Sequence, residues 1–103
     1  MLYITLVCAA GMSTSMLVQK MEESAKQMGI AAEIKAMPEG TFAEYTGQTD
    51  ILLLGPQVRF KLKSMKETYE AKGMKVDLID MMDYGRMNGE KVLKKAIEMS
   101  EGA

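Results

Sequence analysis

Residues Val7–Ser15 read VCAAGMSTS. The stretch ends the apolar run Leu2–Val7 (LYITLV) and leads into a segment whose apolar residues fall at helical intervals. A β-branched run of that kind reads as a strand buried on both faces. After it, Leu17, Met21, Ala25 and Met28 recur at spacings of four, four and three. That is one face of an α-helix over Thr14–Met28, with Lys20, Glu22, Glu23 and Lys26 on the wet side. Gly29 is its natural stop. Strand, small-residue loop and helix form the first unit of the chain.

The unit recurs. Ala31–Met37 (AAEIKAM) alternates weakly and predicts a shorter strand at a sheet edge, ended by Pro38-Glu39-Gly40. Thr41–Gly47 predicts a short helix. Asp50–Leu54 (DILLL) predicts a second buried strand, stopped by Gly55-Pro56. Val58, Leu62, Met65 and Tyr69 predict one helix over Gln57–Lys72, closed by Gly73. Lys75–Ile79 is the fourth strand. Asp80–Asn88 is irregular, with room for one helical turn. Glu90–Met99 places Leu93, Ala96, Ile97 and Ser100 on one face, with Asn88 as its cap and Glu90–Lys94 as an i,i+4 pair. Four strand–helix units predict an α/β layer with a mostly parallel sheet and right-handed crossovers. At 103 residues, without a linker or internal repeat, one domain over 1–103 is expected.

Composition narrows the function. A net charge of −1 gives no basic field for nucleic acid. One Cys excludes an intramolecular disulfide, and with no His there is no metal-ligand cluster, so neither metal nor cofactor is expected. No window approaches the roughly 18 apolar residues of a membrane span. Met1–Val7 is too short for a signal sequence, so a soluble cytoplasmic protein is expected. The 12 Met are scattered and read as soft core filler.

Cys8 stands at the carboxyl end of the first strand, where open parallel sheets bind ligands. The loop after it precedes a helix N-terminus, whose free N–H groups and dipole favour an anion. Ala9, Ala10 and Gly11 are small enough for the backbone to curl around a ligand, and Ser13, Thr14 and Ser15 add hydroxyl donors. A thiol in such a field ionises more readily than a free one, so peptide dipoles can replace the missing histidine. A lone Cys beside a strand is often only a small hydrophobe. A core Cys, however, has no need of the glycine, alanines and hydroxyls that follow this one.

The strings CAAGMSTS, from Cys8 to Ser15, and LLLGPQV, from Leu52 to Val58, resemble the IIB component of the lactose/cellobiose (chitobiose) family of the bacterial sugar phosphotransferase system. The resemblance implies a four-stranded parallel sheet, order 2-1-3-4, in three layers with helices on both faces, similar to the low-molecular-weight tyrosine phosphatases. It implies that Cys8 takes a phosphoryl group from a phosphohistidine of a IIA partner. The group then passes to a disaccharide delivered through the membrane permease IIC, which places the chain at the cytoplasmic side of that permease. Ala9, Ala10, Gly11, Met12, Ser13, Thr14 and Ser15 are implied to wrap the phosphate, in a chain that stands alone as a monomer. The phosphatase loop carries an Arg where this chain has Thr14, and Thr14 cannot clamp phosphate bidentately. Ser15, at the next position, is a candidate donor to sulfur. Two alternatives stay open: a cysteine phosphatase or arsenate-reductase-like enzyme, and a non-catalytic anion-binding module.

Other residues are ambivalent. Gly55, Pro56 and Gln57 are a site wall and partner contact, or a plain strand-to-helix turn. Arg59, Lys63 and Lys66, with Lys61, form a basic stripe that meets an acidic partner or is simply a solvated face. Asp80 and Asp83 are a candidate leaving-group acid, or turn and cap residues. Tyr84-Gly85-Arg86 lies in the loop after the fourth strand and is assigned no role.

Overall fold

The computed structural model describes residues 1–9 and 14–102. Four strands, β1 (Leu2–Cys8), β2 (Ala32–Pro38), β3 (Ile51–Leu54) and β4 (Lys75–Leu78), form one parallel sheet in the order β2-β1-β3-β4. The strands are joined by α1 (Thr14–Met28), α2 (Glu39–Phe42), a 3-10 segment (Pro56–Lys61) and α3 (Leu62–Glu70); α4 (Met81–Gly85) and α5 (Gly89–Glu101) follow β4. The expected topology is the observed one.

The period-two alternation of buried strands divides the core between two faces. Ile4, Leu6, Ile34, Ile51 and Leu53 pack under α1 and α5, against Leu17, Met21, Ala25, Val92, Leu93 and Ala96. Val7, Leu52, Leu54 and Val76 pack on the other face against Phe42, Val58 and Met65. Helices therefore cover both faces, as a parallel sheet requires. Both outward-facing backbone groups of Leu78, on the edge strand β4, are occupied. Its N–H donates to Asp77 Oδ1 (2.7 Å) and its carbonyl accepts from Lys95 Nζ (2.7 Å), which blunts the edge.

Local departures from the expected elements have physical causes. The short helix expected over Thr41–Gly47 begins earlier, at Glu39, because Pro38 holds an extended conformation that releases the chain directly into a turn. It stops once Phe42 is buried edge-on to Tyr69, with ring centroids 5.0 Å apart. The single helix expected over Gln57–Lys72 is two segments. Pro56 opens a 3-10 stretch, Val58 leaves helical geometry (φ −116°, ψ 22°) as its side chain enters the core, and the α-helix begins only at Leu62. Arg59 thus precedes the α-helix that carries Lys63 and Lys66, and Lys61 is paired with Glu39 at 2.9 Å. Asn88 caps α5 by accepting from Lys91 N–H, and Glu90–Lys94 is formed at 2.9 Å. Met28 and Ser100, placed on buried faces by their spacing, are exposed at helix ends. Ser100 donates to the Ile97 carbonyl instead.

At Gly89, α5 lies against the backbone of α1. A Cβ there would stand 2.5 Å from the Lys20 carbonyl carbon and 2.6 Å from the Met21 nitrogen, both backbone atoms. Backbone at that range cannot yield without moving one helix off the other. Gly89→Ala is therefore expected to destabilise the protein by about 1–3 kcal/mol, read from the denaturant midpoint.

Candidate functional site

All four strands end on the same edge of the sheet, and Cys8 ends β1 there. Chain order reverses between β1 and β3, which is where open α/β sheets form a crevice. Register sets the neighbours of Cys8. It pairs with Pro38 of β2, and Val7 pairs with Leu54 of β3. Gly55 N–H then donates to the Val7 carbonyl (2.8 Å). This lays Gly55 so close that a Cβ on it would be 3.6 Å from Cys8 Cβ.

Cys8 is 4% exposed, and its sulfur has one close polar neighbour among the described side chains. Oγ1 of Thr14, a residue 3% exposed, stands 3.0 Å from Cys8 Sγ. The Met37 carbonyl oxygen is 4.0 Å away, at the limit of a weak S–H contact. Thr14 is the first residue of α1, so the helix opens within hydrogen-bond reach of the sulfur. Its first N–H groups have no acceptor inside the helix, and its dipole favours negative charge there.

Two recesses meet at Cys8 and Ala9. The smaller, about 210 Å³, is bounded by Thr14, Ser15, Ala36, Met37 and Pro38. The larger, about 590 Å³, runs past Pro38, Glu39, Gln57 and Val58 to Phe60, which is 76% exposed. Among the described residues, neither recess is lined by Lys or Arg.

The structure brings Cys8, Ala9, Thr14, Ser15, Gly55 and Gln57 together. Pro56 faces a neighbouring groove of about 350 Å³ with Arg59, Asp80, Met81 and Lys95. Ala10, Gly11, Met12 and Ser13 lie outside the described residues. The hydroxyl at the sulfur belongs to Thr14, whereas Ser15, the expected donor, is exposed on the adjoining surface. Thr14, Leu17, Met21 and Ala25 form one buried stripe of α1, and Ser15 lies about 100° of helical turn away from it. That spacing was present in the sequence and could have identified the donor. Pro38, Glu39 and Phe60 were missed because they reach Cys8 only through the β1–β2 register and the 3-10 segment. Asp80 is a cap: its Oδ1 accepts from Met82 N–H (2.9 Å) and Asp83 N–H (3.1 Å).

The architecture defines a class, the doubly wound α/β proteins with a four-stranded parallel sheet, and this chain ends its first strand on a cysteine. A YwlE mutant from Bacillus subtilis shares this fold, with a TM-score of 0.57 at 12% identity over 97% of this chain and 94% of that one. Within that class the family pattern described as "PTS system, Lactose/Cellobiose specific IIB subunit" matches residues 3–95, and the chain belongs to that family of sugar phosphotransferase components. It is 44% identical over 98 residues to the galactose-specific EIIB component of the phosphotransferase system of Lactococcus lactis subsp. cremoris (strain MG1363), covering 90% of this chain and 91% of the relative. It is 38% identical to the oligo-beta-mannoside-specific EIIB component of Bacillus subtilis (strain 168), covering 93% of each. The solution structure of the cellobiose-specific IIB component from Borrelia burgdorferi superposes with a TM-score of 0.76 at 48% identity, over 95% of this chain and 90% of that one.

If Asp80 serves only as a cap, Asp80→Ala lowers stability by about 0.5–2 kcal/mol. Alkylation of Cys8 by iodoacetamide then proceeds at the wild-type rate. A parallel loss of alkylation would instead connect Asp80 to the sulfur.

Proposed function

We propose that the chain is a single IIB phosphocarrier domain over residues 1–103, and that Cys8 carries the phosphoryl group between a IIA phosphohistidine and a disaccharide held by the membrane permease IIC. The observation that carries this reading is the Cys8 sulfur beside the Thr14 hydroxyl and the N-terminus of α1, at the floor of two joined recesses. In the first step the thiolate attacks the phosphorus of the phosphohistidine. The S–P bond forms and the P–N bond breaks, and the imidazole nitrogen keeps the electron pair and takes up a proton. In the second step a sugar hydroxyl attacks the same phosphorus. The O–P bond forms, the S–P bond breaks, sulfur leaves with the electron pair, and the hydroxyl proton passes to solvent.

Positioning and fixed dipoles do most of the work in such transfers. Backbone amides of residues 9–15 would surround the phosphoryl oxygens. No arginine lines the recesses among the described residues, which suits a carrier better than a phosphatase, because the phosphoryl is held for release.

The surface around the site supports contact with partners. Phe60, Met16, Met81 and Met82 are exposed large apolar side chains, and all lie shortly after a strand's carboxyl end. Apolar groups grouped on one edge fit a docking face. Arg59 and Lys63, exposed beside Phe60 in sequence, fit an acidic rim on a partner. Among the described residues no helix is long and apolar enough to cross a membrane. In this reading the chain is a cytoplasmic monomer that meets the permease at the membrane face. The relatives are named for galactose and oligo-beta-mannoside, and the solved neighbour for cellobiose, so a disaccharide of the lactose/cellobiose type is the proposed acceptor.

The protein, incubated with the upstream phosphocarriers of its system, is expected to gain one phosphoryl group by intact mass, and Cys8→Ser to gain none. An undiminished gain on Cys8→Ser would sink the reading.

A further inference from the structure

Thr14, the first residue of α1, has its hydroxyl at the sulfur, 3.0 Å from Cys8 Sγ. Both side chains are nearly closed to solvent, at 3% and 4% exposure, so water competes little for the contact. No other side-chain donor to this sulfur is found among the described residues. Among the described residues the other polar neighbour is the Met37 carbonyl oxygen, which can accept from a thiol and only repels a thiolate.

We propose that Thr14 is a catalytic residue that sets how readily the sulfur releases its phosphoryl group; this rests on the phosphocysteine reading above. The argument is one of differential binding. A hydroxyl bonds an ionised acceptor about twice as strongly as a neutral one. Sulfur carries full negative charge as the free thiolate and little once it is bonded to phosphorus. The Thr14 bond therefore stabilises the discharged state more than the charged state, and its strength grows as the S–P bond lengthens in the transition state. The Thr14 proton stays on its own oxygen throughout. The residue thus weakens phosphocysteine as a resting state and improves sulfur as a leaving group, with no cation lining the recesses among the described residues.

The test compares wild type, Thr14→Val and Thr14→Ser. Each is equilibrated with phosphorylated IIA, and the ratio of phosphocysteine to phosphohistidine is measured. Discharge to sugar by membranes containing the permease is then timed, with KM and kcat for sugar obtained separately. Alkylation by iodoacetamide at fixed neutral pH is followed without any phosphoryl donor. The valine variant is expected to shift the equilibrium toward phosphocysteine and to lower kcat for discharge, each by about tenfold to a hundredfold, with the sugar KM unchanged. Its alkylation is expected to slow. The serine variant keeps the hydroxyl and is expected to recover most of each change. A mere packing defect would lower charging and discharge together and would not raise the phosphocysteine share. Wild-type equilibrium and discharge in the valine variant overturn the proposal, as does equal impairment of the valine and serine variants. Wild type that takes no phosphoryl group overturns the phosphocysteine reading and this proposal with it.

Discussion

The central strand is hydrogen-bonded on both sides, and everything at the site depends on its register. Cys8 lies beside Pro38 and Gly55 only because Cys8 pairs with Pro38 and Val7 with Leu54. In a sheet buried on both faces, apolar alternation pins the register weakly, since a slip by one residue exchanges one apolar face for another. The polar exceptions do the pinning. Thr5, 1% exposed on β1, shares a hydrogen bond of 2.8 Å with the buried Thr49 just before β3. Asp50 Oδ2 accepts from Tyr3 N–H at 3.0 Å. A slip would strand two buried hydroxyls, at about 1–3 kcal/mol for each unsatisfied group. Thr5, three residues before Cys8, and Thr49, distant in sequence, thereby fix the register of the strand that ends on the sulfur.

Among the described residues, the sulfur has the Thr14 hydroxyl beside it and no Lys or Arg lines either recess. A phosphatase gains from a guanidinium that grips the phosphoryl through hydrolysis. A carrier must instead leave the group transferable, so a tight clamp works against it. Among the described residues the side chain beside the sulfur is the neutral hydroxyl of Thr14. Two cations of the region are used elsewhere: Lys61 pairs with Glu39, and Lys95 is engaged by the Leu78 carbonyl and Asp77. Both contacts tie structural elements together at the rim, where their weakness as exposed pairs costs the site nothing.

Much of this was legible in the sequence, for reasons that differ by element. The buried strands and α1 were readable because periodicity reports burial directly, and Gly-Pro and Gly29 punctuate the chain where the structure turns. Strand order came with the family resemblance, because no local signal states which strands pair. The break at Val58 was hidden: its apolar spacing fits an α-helix, and only the tertiary pull of its side chain into the core forces a 3-10 turn. The start of α2 was hidden by the opposite fault, a proline read as an end when it also serves as a beginning. Glu39 is brought to Cys8 by the β1–β2 register and Phe60 by the 3-10 segment, and a single sequence displays neither.

The donor at the sulfur shows how closely packing and chemistry are coupled here. Thr14 lies one turn before Leu17 on the stripe that continues through Met21 and Ala25, so the burial that seats α1 also aims the hydroxyl. Met21 and Lys20, about two turns further on, are the residues against which Gly89 lets α5 close. A helix packed at native density transmits displacement with little loss. Whatever lifts α5 from α1 at Gly89 therefore moves the same helix whose first residue holds the sulfur's hydrogen bond. Without a Cβ at residue 89, α5 closes on the helix whose first residue stands beside Cys8.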